Sequence, residues 1–185
     1  LYDGILMGGV TKEQEETVKA DAGIAVVGIT EFMLGSIGEK NISIIYEDKN
    51  YREKMHQPGI LNQEGRYPET SDEVMVTKTL LEKQKSENLT IGDTLLLSYQ
   101  KKDGTQVEKP MKITGIIDDY EETANCFVTE DVFEQAGYSQ ADYGCGILYY
   151  QYRFWFASDR IENRLKEELN LERKQSIQTT WDCDK

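Results

Sequence analysis

The chain has no apolar run approaching the ~18 residues that would cross a bilayer, and it opens without the pattern of a signal peptide. It begins on Leu1 rather than an initiating methionine, so an excised piece of a larger protein is expected, and the missing spans say nothing of the parent. Histidine is represented once, by His56. Cysteine is sparse and odd in number (Cys126, Cys145, Cys183), with no C-x-x-C or Cys/His spacing that would hold zinc. Three ordinary thiols are expected; an oxidising compartment would allow one bridge, such as Cys126 with Cys145. Basic residues are outnumbered, 21 against 34 acidic ones, for a formal charge of −13. That leaves little material for the basic face a phosphate backbone requires, so no nucleic-acid partner is expected. The acidic excess reads as a solubility device.

What is present describes a folded globular protein. Hydrophobic residues make up 38% and charged residues 30% of 185 positions, which separates the chain from disordered sequences. A chain of this length buries roughly 70% of the surface its unfolded form exposes, so it needs no metal or disulfide merely to fold. It suffices for one domain or for two small lobes.

Punctuation and periodicity give the elements. Leu1 to Val10 reads as a lead-in segment. Thr11 caps a helix, with Gln14 placed to complete a capping box and glutamates in the first turn; Gly23 is expected to close it. Ile24 to Thr30 and Ile42 to Tyr46 are strands, Phe32 to Gly38 is ambiguous, and Glu47 to Met55 is an exposed turn of helix ended by Pro58-Gly59. Glu73 to Val76 is a short buried strand, followed by a helix capped by Thr77 or by Thr79 with Glu82. Cys126 to Thr129 is a strand, Thr129 caps a helix closed by Gly137, and Gly146 to Ala157 is a long aromatic strand. Ser158 or Asp159 caps the last helix, whose buried stripe is Ile161, Leu165 and Leu169; Lys174 to Thr180 is a final strand.

The hairpin around Asp103-Gly104 permits a register argument. A two-residue loop sets Leu95 opposite Lys112, mismatching the apolar faces. A three-residue loop, Lys102-Asp103-Gly104 with Gly104 left-handed and bulged, sets Leu95 opposite Met111 and is preferred. Pro110 lacks a ladder donor, which favours an edge or a bulge there.

No constellation carries catalysis, and no catalytic, cofactor-binding or metal-binding residue is assigned. His56 reads as a solvated loop residue. Leu34-Gly35-Ser36-Ile37-Gly38 falls one glycine short of a nucleophile elbow. Asp48-Lys49-Asn50 begins like a calcium loop but places Arg52 where an oxygen ligand belongs. Asp118, Asp119, Glu121 and Glu122 read as a solvated turn, and Asp72-Glu73 as a charged strand start. The aromatics from Tyr149 to Phe156 read as a strand packed between helices, with a peptide or lipid groove as the rival reading. Helices following strands, mixed with hairpins, imply an α+β fold with mixed sheets, βαβ-like pieces and a strand-rich insert.

Gly65-Arg66-Tyr67-Pro68, Asp72-Glu73-Val74-Met75-Val76, Ile91-Gly92-Asp93-Thr94 and Ile113-Thr114-Gly115-Ile116-Ile117 together resemble the extracytoplasmic core domain of MacB/FtsX-like ABC transporter permeases. The resemblance is strongest over Leu61 to Asp118 and loose elsewhere. It implies a single extracytoplasmic domain, 1–185. Its two lobes would be an α/β, porter-like one (1–60 plus 120–185) and a strand-rich one (61–119). Such a domain is expected between the first and second membrane helices of a permease, on the outer face of the cell membrane. A separate cytosolic ATPase subunit or domain is implied as a partner, with no cofactor in this chain. The implied function transmits ATP-driven motion to an exported substrate, peptide or lipid-like, or to a surface partner; self-dimerisation stays open. The shorter, more acidic chain suits a Gram-positive bacterium. A free-standing ligand-binding or sensor module is the alternative, and an enzyme is not expected.

Overall fold

The computed structural model describes residues 2–55, 63–83, 88–118, 125–138 and 146–180. In chain order its strands are β1 (Gly4–Met7), β2 (Ile24–Ile37), β3 (Lys40–Glu47), β4 (Gln63–Gly65), β5 (Glu73–Thr77), β6 (Thr94–Gln100), β7 (Gln106–Ile117), β8 (Asn125–Phe127), β9 (Gly146–Tyr152) and β10 (Ser176–Thr179). The helices are α1 (Lys12–Ala20), α2 (Lys78–Lys83), α3 (Glu130–Gln135) and α4 (Ser158–Glu168). A π-helical turn spans Tyr51–Met55 and a 3-10 turn spans Trp155–Ala157. The chain divides into two compact units: Leu1–Thr30 with Glu47–His56 and Ser139–Lys185, and Glu31–Tyr46 with Gln57–Tyr138. The fold is α+β with mixed strand pairing.

The first unit has strand order β10-β1-β9-β2. Gly4 to Met7, expected as lead-in, are instead an inner strand, antiparallel to both β10 and β9. Four residues are too few to show alternation, and both neighbours lie more than 140 positions downstream. Gly4 is required there, because a Cβ would fall 2.1 Å from the Tyr150 ring. Helix α1 starts with the expected capping box: Thr11 Oγ1 accepts from the Gln14 amide and Gln14 Oε1 from the Thr11 amide, both at 3.1 Å. Its end differs from expectation. The chain leaves the helix through extended Asp21, and Gly23 is not left-handed. Gly23 matters for space, since a Cβ would meet Ile161 at 2.6 Å.

Helix α4 lays Ile161, Leu165 and Leu169 onto a core that includes Leu6, Val18, Val27, Leu148 and Tyr150. Arg164 fastens α4 to the α1 exit with a bidentate pair, donating to both oxygens of Asp21 at 2.6 and 2.7 Å. That guanidinium holds the Asp21 carboxyl below its ordinary range. Strand β9 ends at Tyr152, five residues short of the expected Ala157. The Arg153 amide turns away to donate to Gly23 O at 2.7 Å, and the 3-10 turn follows. Neither Ser158 nor Asp159 caps α4, because this turn feeds directly into it; Ala157 holds the cap position without a side-chain bond.

The second unit has strand order β3-β8-β5-β7-β4, with β6 pairing β7 and the far half of β2. Pairs β3/β8 and β5/β7 are parallel; β5/β8, β4/β7 and β6/β7 are antiparallel. Met75, Ile117 and Phe127 form a core cluster flanked by Ile45 and Tyr67. The hairpin has the expected register, Leu95 opposite Met111. Its loop is Lys102-Asp103-Gly104, closed by Gly104 N to Lys101 O and Lys101 N to Thr105 O, with Gly104 at φ +89°. Pro110 fits because amides alternate in direction. The Lys112 amide donates to Asp72 and the Ile113 amide to Asp93, so position 110 faces away from β6, just beyond the start of β5.

Of the two candidate caps for α2, Thr77 serves: its hydroxyl accepts from the Leu80 amide, and Thr79 lies inside the helix. Thr129 was expected to cap α3 but makes no cap bond, its hydroxyl being buried and unpartnered. Gly137 ends that helix at φ +87°, as expected.

Candidate functional site

The four motif segments named above converge on one stretch of β7. Gly65 pairs with Gly115 across the β4–β7 ladder. Neither tolerates a side chain: a Cβ on Gly65, which sits at φ +73°, would meet Thr114 O at 2.2 Å, and one on Gly115 would meet Arg66 O at 2.5 Å. The Arg66 amide donates to Thr114 O at 2.9 Å, and the Thr114 hydroxyl donates back to Arg66 O at 3.1 Å. From the other side, Gly92 N donates to Ile113 O and Ile113 N to Asp93 O, both at 2.8 Å. Asp93 steadies its own turn by accepting from the Thr90 amide at 2.8 Å.

Glu73 is the centre of this clasp and more than a charged strand start. At 9% exposure, its carboxylate accepts from the Arg66 guanidinium and from the amides of Glu69 and Thr70, the latter two at 3.2 Å. The Arg66 bond, then the amides, hold the Glu73 carboxyl below the ordinary glutamate range against the opposing effect of burial. Spacing in the sequence pairs Arg66 and Glu73 with nothing; only the fold, which bends residues 66–73 into a loop closed on itself, reveals the partnership. The motif is a structural clasp.

A second carboxylate is buried without such partners. Glu31 is 3% exposed, and its Oε2 makes no hydrogen bond. Burial, and then the charges of Glu130 and Glu134, push it up to about 8. In the first unit, the Tyr150 and Tyr152 hydroxyls both donate to Glu162 Oε1 at 2.6 Å. Burial and the Glu162 carboxylate raise both phenols, so they remain protonated donors. Glu162 also lines a cleft of about 330 Å³ with Asp159, Asn163 and Lys166 of α4 and Ile177 of β10.

The expected non-catalytic segments find structural roles. Ser36 lies in the β2–β6 ladder opposite Ser98, away from any elbow geometry. Asp48 accepts from the Tyr51 amide at 2.8 Å and Asn50 donates to Val27 O at 3.1 Å, so the calcium-like triplet starts the π-helical turn instead. Among the described residues no group of three or more histidine, cysteine or acidic side chains is arranged to hold a metal ion. Cys126 is a buried free thiol whose titration is pushed up by burial. His56, Cys145, Cys183, Asp119, Glu121 and Glu122 lie outside the described residues.

The aromatic run divides. Tyr150 and Tyr152 enter the core, while Tyr149 rests against Tyr2 and Tyr51 at ring distances of 4.9 and 4.8 Å. Phe154, Trp155 and Phe156 are 51%, 74% and 73% exposed. Phe154 and Phe156 stack at 5.6 Å, and Trp155 meets Phe156 edge-on at 6.1 Å.

No protein-family model matches the chain, and no curated protein matches it by sequence. Solved structures do. The periplasmic region of MacB from Actinobacillus actinomycetemcomitans superposes with a TM-score of 0.66 at 11% identity, covering 99% of this chain and 91% of that one. The extracellular domain of the noncanonic ABC-type transporter YknZ from Gram-positive bacteria gives 0.65 at 12% identity, over 96% and 99%. The chain has the fold of the MacB-like extracytoplasmic domain.

Proposed function

We propose that this chain is the extracytoplasmic domain of an FtsX-like ABC transporter permease, set between its first and second membrane helices. It would pass ATP-driven helix motion to an exported substrate or a surface partner. The observation that carries this reading is the pairing of the two ends. Gly4 opposes Thr179 in the β1–β10 ladder, and Thr180 N donates to Asp3 O at 3.0 Å, so the chain enters and leaves the first unit side by side. A domain spliced between two adjacent membrane helices needs that geometry. Displacing one helix against the other would load the β1–β10 ladder first. Partners of the proposed assembly are the parent's membrane helices and a cytosolic ATPase.

Topology mapping of the full-length gene product tests the proposal. Single-cysteine labelling with a membrane-impermeant maleimide is expected to reach this domain from outside the cell, with one membrane helix before it and three after. A product with one anchor, or none, overturns it. Deleting the neighbouring ATPase gene is expected to abolish function without changing the domain's surface exposure.

A further inference from the structure

Three consecutive aromatic side chains, all exposed and touching one another, call for an occupant. Scattered exposed apolar residues are ordinary, but a contiguous group marks a contact surface. Phe154, Trp155 and Phe156 form such a group, held together by their own ring contacts. Their place in the fold identifies the contact. Tyr150 pairs with Gly4, and the Tyr152 amide donates to Asp3 Oδ2 at 2.7 Å, so β9 leaves its sheet at the level where β1 begins. Thr179, the last residue of β10, pairs with Gly4 as well. The 3-10 turn that carries the aromatics therefore stands at the end of the first unit from which both chain ends depart. Tyr2, also exposed, lies at the same end.

We propose that Phe154, Trp155 and Phe156 dip into the headgroup layer of the phospholipid bilayer to which this domain is attached. The inference rests on the reading that membrane helices flank the domain; it adds the surface by which the domain meets the lipid. Tryptophan concentrates at membrane–water interfaces, where its apolar body and polar N–H are both accommodated, and the flanking phenylalanines add apolar area to the same face. Charge agrees. The chain as a whole is at −13, which repels an anionic surface, yet Arg153 and Arg160 flank the aromatics with only Asp159 between 153 and 160, a local excess of one positive charge (two arginines less one aspartate). Arg153 and Arg160 are both exposed; the Arg153 guanidinium donates to Ala22 O at 3.1 Å and to Ile24 O at 3.4 Å, which fixes its charge beside the aromatics.

The chain contains two tryptophans, so Trp181→Phe leaves Trp155 as the only one. This variant, tethered through a C-terminal histidine tag to phosphatidylcholine vesicles containing a nickel-chelating lipid, reproduces attachment at the departing ends. Trp155 emission is expected to shift to the blue, to be quenched by lipids brominated near the headgroup, and to become several-fold less accessible to acrylamide. Adding Phe154→Ser and Phe156→Ser is expected to return Trp155 to water while tethering is unchanged; both side chains are exposed, so the fold survives. Trp155 that stays fully accessible to acrylamide on the tethered vesicles overturns the lipid contact and leaves the permease reading standing. Shielding that grows with protein concentration without vesicles assigns the surface to self-pairing and overturns the proposal equally. A parent without flanking membrane helices overturns both.

Discussion

Glu73 and Glu31 are both buried carboxylates, and they answer pH in opposite senses. Glu73 is held low by Arg66, so its contribution is present above the ordinary glutamate value and is lost as pH falls through its folded value. Removing it ends three charge-assisted contacts, though the exposed amides of Glu69 and Thr70 and the half-exposed Arg66 guanidinium can then bond water, so Glu73→Ala should cost about 1–2 kcal/mol in urea unfolding at pH 7. Glu31 is raised from 4.5 to about 8. Its contribution is fully present below its unfolded value and is lost as pH rises from there through about 8. Glu31→Gln should therefore leave stability nearly unchanged at pH 4.5 and raise it progressively to pH 9, by something on the order of 3 kcal/mol. A variant equally stable relative to the parent at both pH values would contradict that account. Tyr150→Phe removes one of two hydroxyl donors from Glu162 and should cost about 1–2 kcal/mol, with Tyr152→Phe similar.

At the scale of elements, what could be read from the sequence is what is decided locally. The Thr11–Gln14 capping box and the Leu95–Met111 register follow from side chains within a few residues of one another, and both appear in the structure as expected. Strand β1 was not legible, because Gly-Ile-Leu-Met becomes a strand only when β9 and β10 arrive on either side. The β9 end was misjudged for a related reason: alternation continues through Phe154 and Phe156, but the backbone is drawn off by Gly23, a residue 130 positions away. The clasp was visible as a motif and not as a mechanism, since Arg66 and Glu73 meet only through the loop between them. Substitutions should sort accordingly. Gly104→Ala forces a left-handed alanine whose methyl meets only the Gln100 side chain, at an ordinary 3.8 Å, and should cost about 1 kcal/mol. Gly115→Ala drives a methyl into Arg66 O and should cost more than twice that, with the β4–β7 amides losing hydrogen-exchange protection first.

For the whole molecule, the neighbouring ends and the open β2–β3 turn make one prediction. Gly38 sits at φ +60° with nothing within 4 Å of a Cβ position. A circular permutant opened at Gly38, with the original ends joined by a linker of about six residues, should fold with an unchanged circular dichroism spectrum. Loss of the fold would mean that the β2–β3 connection is needed for more than joining strands.

The same pairing of ends has a consequence for how the protein is made. Synthesis is vectorial, and β1, the earliest strand of this domain to be made, has its two partners more than 140 residues behind it. The second unit, drawn from residues 31–46 and 57–138, has all its strands available before β9 is translated. It can mature while the first unit still waits, with Ile5 and Leu6 not yet covered by β9 and β10 and α1 not yet joined by α4. Only β10 closes the β1–β10 ladder, so a nascent chain stalled before Ser176 should carry a finished second unit and an aggregation-prone first one that lacks its closing strand.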